Sequence, residues 1–157
     1  SVNSVMAKGK IVGHYVNSIL AKREVMAAGY QEAIMLDGQG YVAEASGENI
    51  FMVKKGVVYT PALGASILGG ITRHTIVTLC AELGLPLIER PITRDELYIA
   101  DEVFMCGTAA EVTPVREIDD RQIGIGARGP VCERVQKRYF EVVHGEGQPR
   151  GRARRLR

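Results

Sequence analysis

Short apolar runs separated by turn residues occupy the first part of this chain, and they predict strands. Valine, isoleucine, phenylalanine and methionine dominate these runs, and glycine, aspartate and lysine dominate the turns. We expect the runs to pair as a meander of antiparallel strands. The predicted strands are residues 33–36, 41–45, 49–53 and 57–60, with turns at 37–40 and 54–56.

A helix is predicted ahead of these strands, over residues 16–28. Val16, Ile19 and Leu20 recur at helical spacing, charged residues lie opposite them, and Gly29 ends the pattern. This segment therefore has one apolar and one polar face.

A second helix is predicted over residues 73–83, with Thr72 as its N-cap and Gly84 as its stop. The other predicted elements are a short helix from the Thr93–Glu96 capping box to about Ala100, a buried strand over 102–106 and a last helix from Pro130 to about Val143. No repeat or linker divides these elements. The chain is therefore predicted to be α+β, with antiparallel strands and surrounding helices.

The composition is that of an ordinary globular chain with a basic end. Hydrophobic residues make up 46% and charged residues 24% of the 157 residues. The formal net charge is +2, but five arginines lie within residues 146–157, so the remainder is slightly acidic. We expect one domain over residues 1–145, a disordered basic tail over 146–157, and no nucleic-acid partner.

Cysteine and histidine spacing predicts neither disulfides nor a metal site. Cys80, Cys106 and Cys132 are odd in number and widely spaced, so we expect reduced thiols in the core. The three histidines match no common ligand spacing. No apolar run approaches the roughly 20 residues that span a bilayer, and the first residues do not read as a signal peptide. We expect a cytoplasmic protein without a membrane partner.

An amine, a carboxylate and two anion-binding turns follow one another along the chain. Lys10 supplies the amine and Glu44 the carboxylate, while turns at 69–73 and 107–109 offer backbone N–H groups and threonine hydroxyls. Each has an ordinary explanation alone: a solvated lysine, a strand carboxylate, a helix start and a strand-ending turn. Together they suit pyridoxal phosphate, which needs a lysine, a carboxylate at its ring nitrogen and donors for its phosphate.

The same segments resemble the class IV, fold-type IV pyridoxal-phosphate aminotransferases, and among these the branched-chain-amino-acid aminotransferases. The resemblance implies the D-amino-acid-aminotransferase-like fold, specifically its large C-terminal cofactor-binding domain. Family members also have an N-terminal domain that contributes to the phosphate site and the substrate pocket, so we expect this chain to hold only the cofactor-binding half. The matching segments are residues 10–15, 29–32, 44–51, 70–73, 101–104 and 107–114.

The resemblance also implies roles for individual residues. Lys10 would bind the cofactor aldehyde covalently and move the substrate proton, while Tyr15 would contact the phenolic oxygen and Glu44 the pyridine nitrogen. Asn49 is expected to be structural rather than catalytic. The other implied contacts are Leu68 on the ring, Ile71, Thr72 and Thr108 at the phosphate, and Gly107, Thr108 and Ala109 at the substrate carboxylate.

The function implied by the resemblance is transamination of leucine, isoleucine and valine with 2-oxoglutarate, giving 2-oxo acids and glutamate, in a homo-oligomer. A D-amino-acid aminotransferase or an aminodeoxychorismate lyase is an alternative, because Lys10, Glu44 and Thr72 would serve those reactions too. The segment 107–111 favours the branched-chain type. An alternative of another class is a noncatalytic domain that self-associates through an uncovered apolar surface.

Overall fold

A five-stranded sheet organises the chain, which a computed structural model describes over residues 8–146. The helices are α1 (Val16–Ala27), α2 (Ile71–Glu82), α3 (Arg94–Tyr98) and α4 (Pro130–Val143), with a 3-10 turn at Val12–Tyr15. The strands are β1 (Ile34–Leu36), β2 (Val42–Ala45), β3 (Asn49–Lys54), β4 (Val57–Thr60), β5 (Leu87–Glu89), β6 (Glu102–Gly107), β7 (Glu111–Val115), β8 (Glu117–Ile118) and β9 (Arg121–Gln122).

The central sheet has the spatial order β5-β4-β3-β6-β7, and its pairs are antiparallel except for β4 with β5. The predicted α+β class is confirmed. The predicted single meander is wrong in detail, because β1 and β2 form a separate two-stranded sheet. The parallel pair follows from α2, which connects β4 to β5 and allows the chain to return in the same direction.

The two central strands are buried on both faces, which explains their continuous apolar sequence. Phe51 of β3 stacks on Phe104 of β6 with ring centroids 5.1 Å apart, and both pack with α2 and α4. The alternate residues Ile50 and Met105 belong to a second core on the other face. Because successive strand residues point to opposite faces, these two strands support both cores.

Helix α2 begins earlier than its sequence predicts. Gly70, not Thr72, is the N-cap residue, and no side chain caps the helix start. Thr72 is instead a buried residue of the first turn, so the predicted N-cap was wrong. The predicted stop is correct: Gly84 has φ +65°, and the Leu85 N–H bonds the Cys80 carbonyl as in a Schellman ending.

Helix α4 spans the predicted Pro130–Val143, and a carboxylate from the sheet caps its start. The buried Glu102 of β6 accepts hydrogen bonds from the N–H groups of Val131 at 2.9 Å and Cys132 at 2.8 Å. These bonds satisfy two donors that would otherwise lack partners at a buried helix end. The first residue of β6 therefore joins the sheet to α4.

Helix α1 forms as predicted, but its apolar side is not covered. None of its residues is buried, and Val16, Ile19 and Leu20 are 60%, 54% and 60% exposed. The helix thus lies beside the two cores without contributing to either. Its attachment depends on polar contacts at its C-terminal half.

The cysteine prediction is confirmed, since Cys80, Cys106 and Cys132 are free and buried. Burial raises the pKa of each thiol, to about 11 for Cys80 and about 12 for the other two. None of the helices within residues 8–146 is long and apolar enough to cross a membrane. The predicted basic tail lies outside the described residues except for Glu146.

The Glu96 capping box should give the fold a defined acid sensitivity. Glu96 accepts bonds from Arg90 and from the Thr93 N–H, and these partners lower its pKa from 4.5 to about 2. Because the pKa of Glu96 is lowered in the folded state, the stabilisation of the fold by the ionised carboxylate is complete above pH 4.5. This stabilisation is lost as the pH falls towards 2. We expect Glu96→Ala to cost about 1 kcal/mol near neutral pH, and less at pH 3.

Urea unfolding of the wild type and the variant at pH 7 and pH 3 measures this difference. Asp95→Ala is the matched control, because Asp95 is an exposed carboxylate of the same helix. An equal cost of Glu96→Ala at both pH values would contradict the assignment.

Candidate functional site

A small open cavity lies between the start of α1 and the turn that joins β2 to β3. Tyr15 lines it on the helix side, and Glu44, Asn49 and Leu68 line it on the other. Three residues that the sequence assigned to one site, Tyr15, Glu44 and Leu68, are therefore brought together. They come from segments far apart in the sequence.

Glu44 is the central polar group of this cavity. Its Oε2 accepts a hydrogen bond from the Leu68 backbone N–H at 2.9 Å and a longer one from the Asn49 amide at 3.4 Å. The same amide of Asn49 donates to the Leu68 carbonyl at 3.0 Å. Asn49 is buried, so it holds the carboxylate and the 68–70 loop in register, in agreement with the structural role expected for it.

The environment of Glu44 favours its protonated form relative to a free glutamate. Burial raises the pKa of Glu44, while the Leu68 N–H and the positive charge of Lys8 act in the opposite direction. A carboxylate that is partly desolvated gains more from a cationic partner than one in water does. This site is suited to a cationic group placed beside Glu44.

The first turn of α2 begins next to this carboxylate. Its N-cap, Gly70, has no side chain to bond the N–H groups of the first turn, which belong to residues such as Ile71 and Thr72. Unpaired N–H groups and the helix dipole make such an end favourable for an anion. The Ile71 side chain is 85% exposed, and that of Thr72 is buried.

The turn after β6 lies on the far edge of the cavity. A side chain at Gly107 would meet the Gly47 carbonyl and the Glu48 side chain at 3.5 Å, and both of those residues line the cavity. Thr108 and Ala109 follow in an exposed turn. The structure therefore brings the 107–109 turn beside the Glu44 segment, but Thr108 is not among the residues that line the cavity.

The structure does not bring Lys10 into the cavity. Its side chain is exposed, and in this part of the described chain it is Gly9 that lines the cavity. Lys8 lies closer to the site: its Nζ donates to the carbonyls of Leu63, Ala65 (3.1 Å) and Ile67 (2.8 Å). Burial lowers the pKa of Lys8, and the charge of Glu44 raises it.

Two further charged residues were given no role from the sequence: Glu48 in the cavity wall and Arg73 in the first turn of α2. Glu48 lines the cavity, and its pKa is raised by burial and by the charge of Glu32. Arg73 is 3% exposed and donates to the Pro61 carbonyl at 2.9 Å and to Glu89 at 2.8 Å. Glu48 and Arg73 lie in segments that carry the family resemblance. Because a charged residue at a strand end or on a helix is usually solvated, neither was singled out.

A model of the family "Amino-transferase class IV" matches residues 1–118 of the chain. The branched-chain-amino-acid aminotransferase of Pseudomonas aeruginosa is 57% identical over 155 residues, which are 99% of this chain and 50% of that protein. A probable branched-chain-amino-acid aminotransferase of Aquifex aeolicus is 55% identical over 93% of this chain and 47% of its own length. The chain thus spans about half the length of these relatives.

Solved structures of similar proteins have the same fold. The branched-chain amino acid aminotransferase of Thermobaculum terrenum, solved in its PLP-form, superposes with a TM-score of 0.89 at 42% identity, over 91% of this chain and 47% of that one. The branched-chain amino acid aminotransferase of Escherichia coli gives a TM-score of 0.90 at 47% identity, over 94% of this chain and 50% of that one. The predicted D-amino-acid-aminotransferase-like fold is confirmed.

The close approach of Asn49 to Gly70 should make the second of two adjacent glycines irreplaceable. A Cβ at Gly70 would overlap the Asn49 side-chain oxygen, whereas one at Gly69 would meet only Leu63 at 3.8 Å. Gly70→Ala must therefore displace Asn49 and the bonds that it makes to Glu44 and Leu68. We expect a cost of about 1–3 kcal/mol for Gly70→Ala, and a change within about 0.5 kcal/mol for Gly69→Ala.

Chemical denaturation of the two variants beside the wild type measures these costs. Equal effects of the two substitutions would show that the contact between Gly70 and Asn49 is not a constraint.

Proposed function

The chain belongs to the class IV aminotransferases, and from this we propose that it binds pyridoxal phosphate and forms the cofactor-binding half of a branched-chain-amino-acid aminotransferase. The observation that carries the proposal is the partly buried carboxylate of Glu44, held by the Leu68 N–H beside the uncapped start of α2. One end of this site suits a cationic ring nitrogen, and the other suits a phosphate. These are the two polar ends of pyridoxal phosphate.

The residues present fit this cofactor at four points. Glu44 would hold the ring nitrogen in its protonated form, and Leu68, whose N–H orients Glu44, would pack on the ring. Tyr15 lines the same cavity and would contact the phenolic oxygen. Ile71 and Thr72 would hold the phosphate through the first turn of α2, and Thr108 would reach it from the 107–109 turn. When bound, the cofactor supplies an electron-withdrawing ring that lowers the barrier to removing a proton from the substrate.

Lys10 is the proposed catalytic residue. Its Nζ would bind the cofactor aldehyde and, once displaced by the substrate amine, would accept the α-proton. Lys8 and Lys10 are two positions apart, so their Cα atoms are separated by at most about 7 Å. Gly9, the residue before Lys10, lines the cavity, and the Lys10 side chain would turn into it when the cofactor binds.

The proposed substrates are leucine, isoleucine and valine as amino donors and 2-oxoglutarate as acceptor, with glutamate as product. The supporting observation is that the P. aeruginosa and A. aeolicus relatives are both named as branched-chain enzymes. Gly107, Thr108 and Ala109 would approach the substrate carboxylate through the backbone of their turn. We also propose a homo-oligomer in the cytoplasm, where free buried cysteines such as Cys106 stay reduced.

Borohydride reduction followed by peptide mapping tests the proposed function. Incubation of the protein with pyridoxal phosphate should give a near-visible absorbance band, and reduction should fix the cofactor on the peptide that contains Lys10. Because Lys8 lies nearby, Lys8→Ala is the matched control: it should keep the adduct on Lys10, whereas Lys10→Ala should lose both the adduct and all transamination of L-leucine.

An adduct on Lys8 in the wild type would overturn the assignment of Lys10. Absence of any reducible adduct would overturn the proposed function itself and favour the noncatalytic alternative. That alternative is supported by the uncovered apolar side of α1, where Val16, Ile19 and Leu20 are each more than half exposed. Turnover of D-alanine in place of L-leucine would favour the D-amino-acid enzyme.

A further inference from the structure

One carboxylate connects α1 to the segment that carries Glu44. Glu32 lies in the loop after α1, with its side chain 17% exposed. It accepts hydrogen bonds from the Ala33 N–H at 2.8 Å, from the Ser46 N–H at 3.2 Å and from the Ser46 hydroxyl, and it forms an ion pair with Lys22 of α1. A single side chain therefore binds three separate parts of the chain.

These contacts matter because the helix has little else to hold it. No residue of α1 is buried, and most of its large apolar side chains are more than half exposed. The Lys22–Glu32 pair is the one ion pair that a residue of α1 makes among the described ion pairs. Within the described contacts, the Lys22–Glu32 pair therefore connects α1 to the end of β2 through Ser46.

The cavity is divided between the two parts that Glu32 joins. Tyr15 and Ser18 line it from the start of α1, and Glu44 and Ser46 line it from the end of β2. The affinity of a ligand that contacts both sides depends on the distance between them. Rigid support of this kind is what keeps a binding site in its productive geometry.

The contacts of Glu32 keep its carboxylate ionised. Burial raises the pKa of Glu32, but the bonds from Lys22, Ser46 and the Ala33 N–H outweigh it, and the net shift is downward. The carboxylate is therefore ionised near neutral pH, and its hydrogen bonds are of the stronger, charge-assisted kind. Removing it would leave the Ala33 N–H and the Ser46 hydroxyl without this acceptor, while the Ser46 N–H would keep its bond to the Ala33 carbonyl at 3.1 Å.

We propose that Glu32 is a positioning residue for the cofactor site: it fixes the helix bearing Tyr15 and Ser18 against the strand end bearing Glu44 and Ser46. The inference rests on the proposed function, because it concerns the same site. Glu32 itself does not line the cavity with Glu44. Its effect on the ligand is transmitted through Ser46 and through α1.

Pyridoxal phosphate affinity and hydrogen–deuterium exchange, measured on the same variants, test the proposal. Glu32→Ala should weaken pyridoxal phosphate binding by about tenfold or more, the loss expected for charge-assisted bonds, and should speed exchange in residues 16–27. Glu32→Gln keeps an acceptor for Ser46 and should lose less affinity. Lys22→Met removes only the ion pair and should resemble Glu32→Gln.

Glu96→Ala is the control, because it breaks a comparable ion pair and capping box away from the cavity. It should lower stability without changing the affinity or the exchange of α1. If Glu32→Ala does not fold, Glu32→Gln and Lys22→Met still test the proposal, because each should lose part of the pyridoxal phosphate affinity.

The two proposals fail in distinguishable ways. Unchanged affinity and unchanged α1 exchange in Glu32→Gln and Lys22→Met, with a wild type that binds the cofactor, would overturn the role of Glu32 alone. Equal affinity losses in Glu96→Ala and Glu32→Gln would show a general effect of stability and would also overturn it. A wild type that binds no pyridoxal phosphate would overturn the proposed function and this inference with it.

Discussion

The hydrogen bond from the Leu68 N–H to the Glu44 carboxylate is the contact on which the site depends. It links β2 to the loop ahead of α2, and Asn49 reinforces it by donating to both Glu44 and the Leu68 carbonyl. The same loop then begins α2 at Gly70, whose lack of a side chain leaves room for Asn49. One small set of contacts thus fixes both the partly buried carboxylate and the start of α2.

The two sides of the cavity are built with different rigidity. On the side of Glu44 and Asn49, β3 is packed between the two cores and β2 contributes Val42 and Ala45 to the second, so closely packed side chains hold the backbone in place. The side of Tyr15 belongs to a helix with no buried residue. Six of the thirteen exposed large hydrophobic residues in the described part of the chain lie within residues 11–26, on the side of Tyr15.

Much of the fold could be predicted because helix starts, helix stops and apolar periods act on residues close to them in the sequence. The limits of α4 follow from Pro130 and the apolar period, and the end of α2 follows from Gly84. The edge strand β7 is absent from the prediction, because its sequence contains Pro114 and follows a segment interpreted as a turn. As an edge strand, β7 tolerates a residue that cannot donate to the ladder.

The sequence indicated candidate site residues through their type and through the segments that carry the resemblance. It did not indicate residues whose contacts depend on three-dimensional position. Glu44, Leu68 and Tyr15 do converge on one cavity. The place of Lys8 among the carbonyls of residues 63–67 depends on a loop more than fifty residues away, and no local pattern indicates it. Glu32 lies in the matching segment 29–32, but no local pattern indicates its contacts, since its partners Lys22 and Ser46 lie in other elements.

The most direct measurement is ¹⁵N NMR of bound pyridoxal phosphate labelled at its ring nitrogen, in the wild type and in Glu44→Gln. If Glu44 is the partner of that nitrogen, the wild type will give the chemical shift of a protonated pyridinium near neutral pH, and Glu44→Gln will move it to that of an unprotonated pyridine. The same chemical shift in both proteins would contradict the account, because the Glu44 carboxylate would then have no contact with the ring nitrogen of the cofactor.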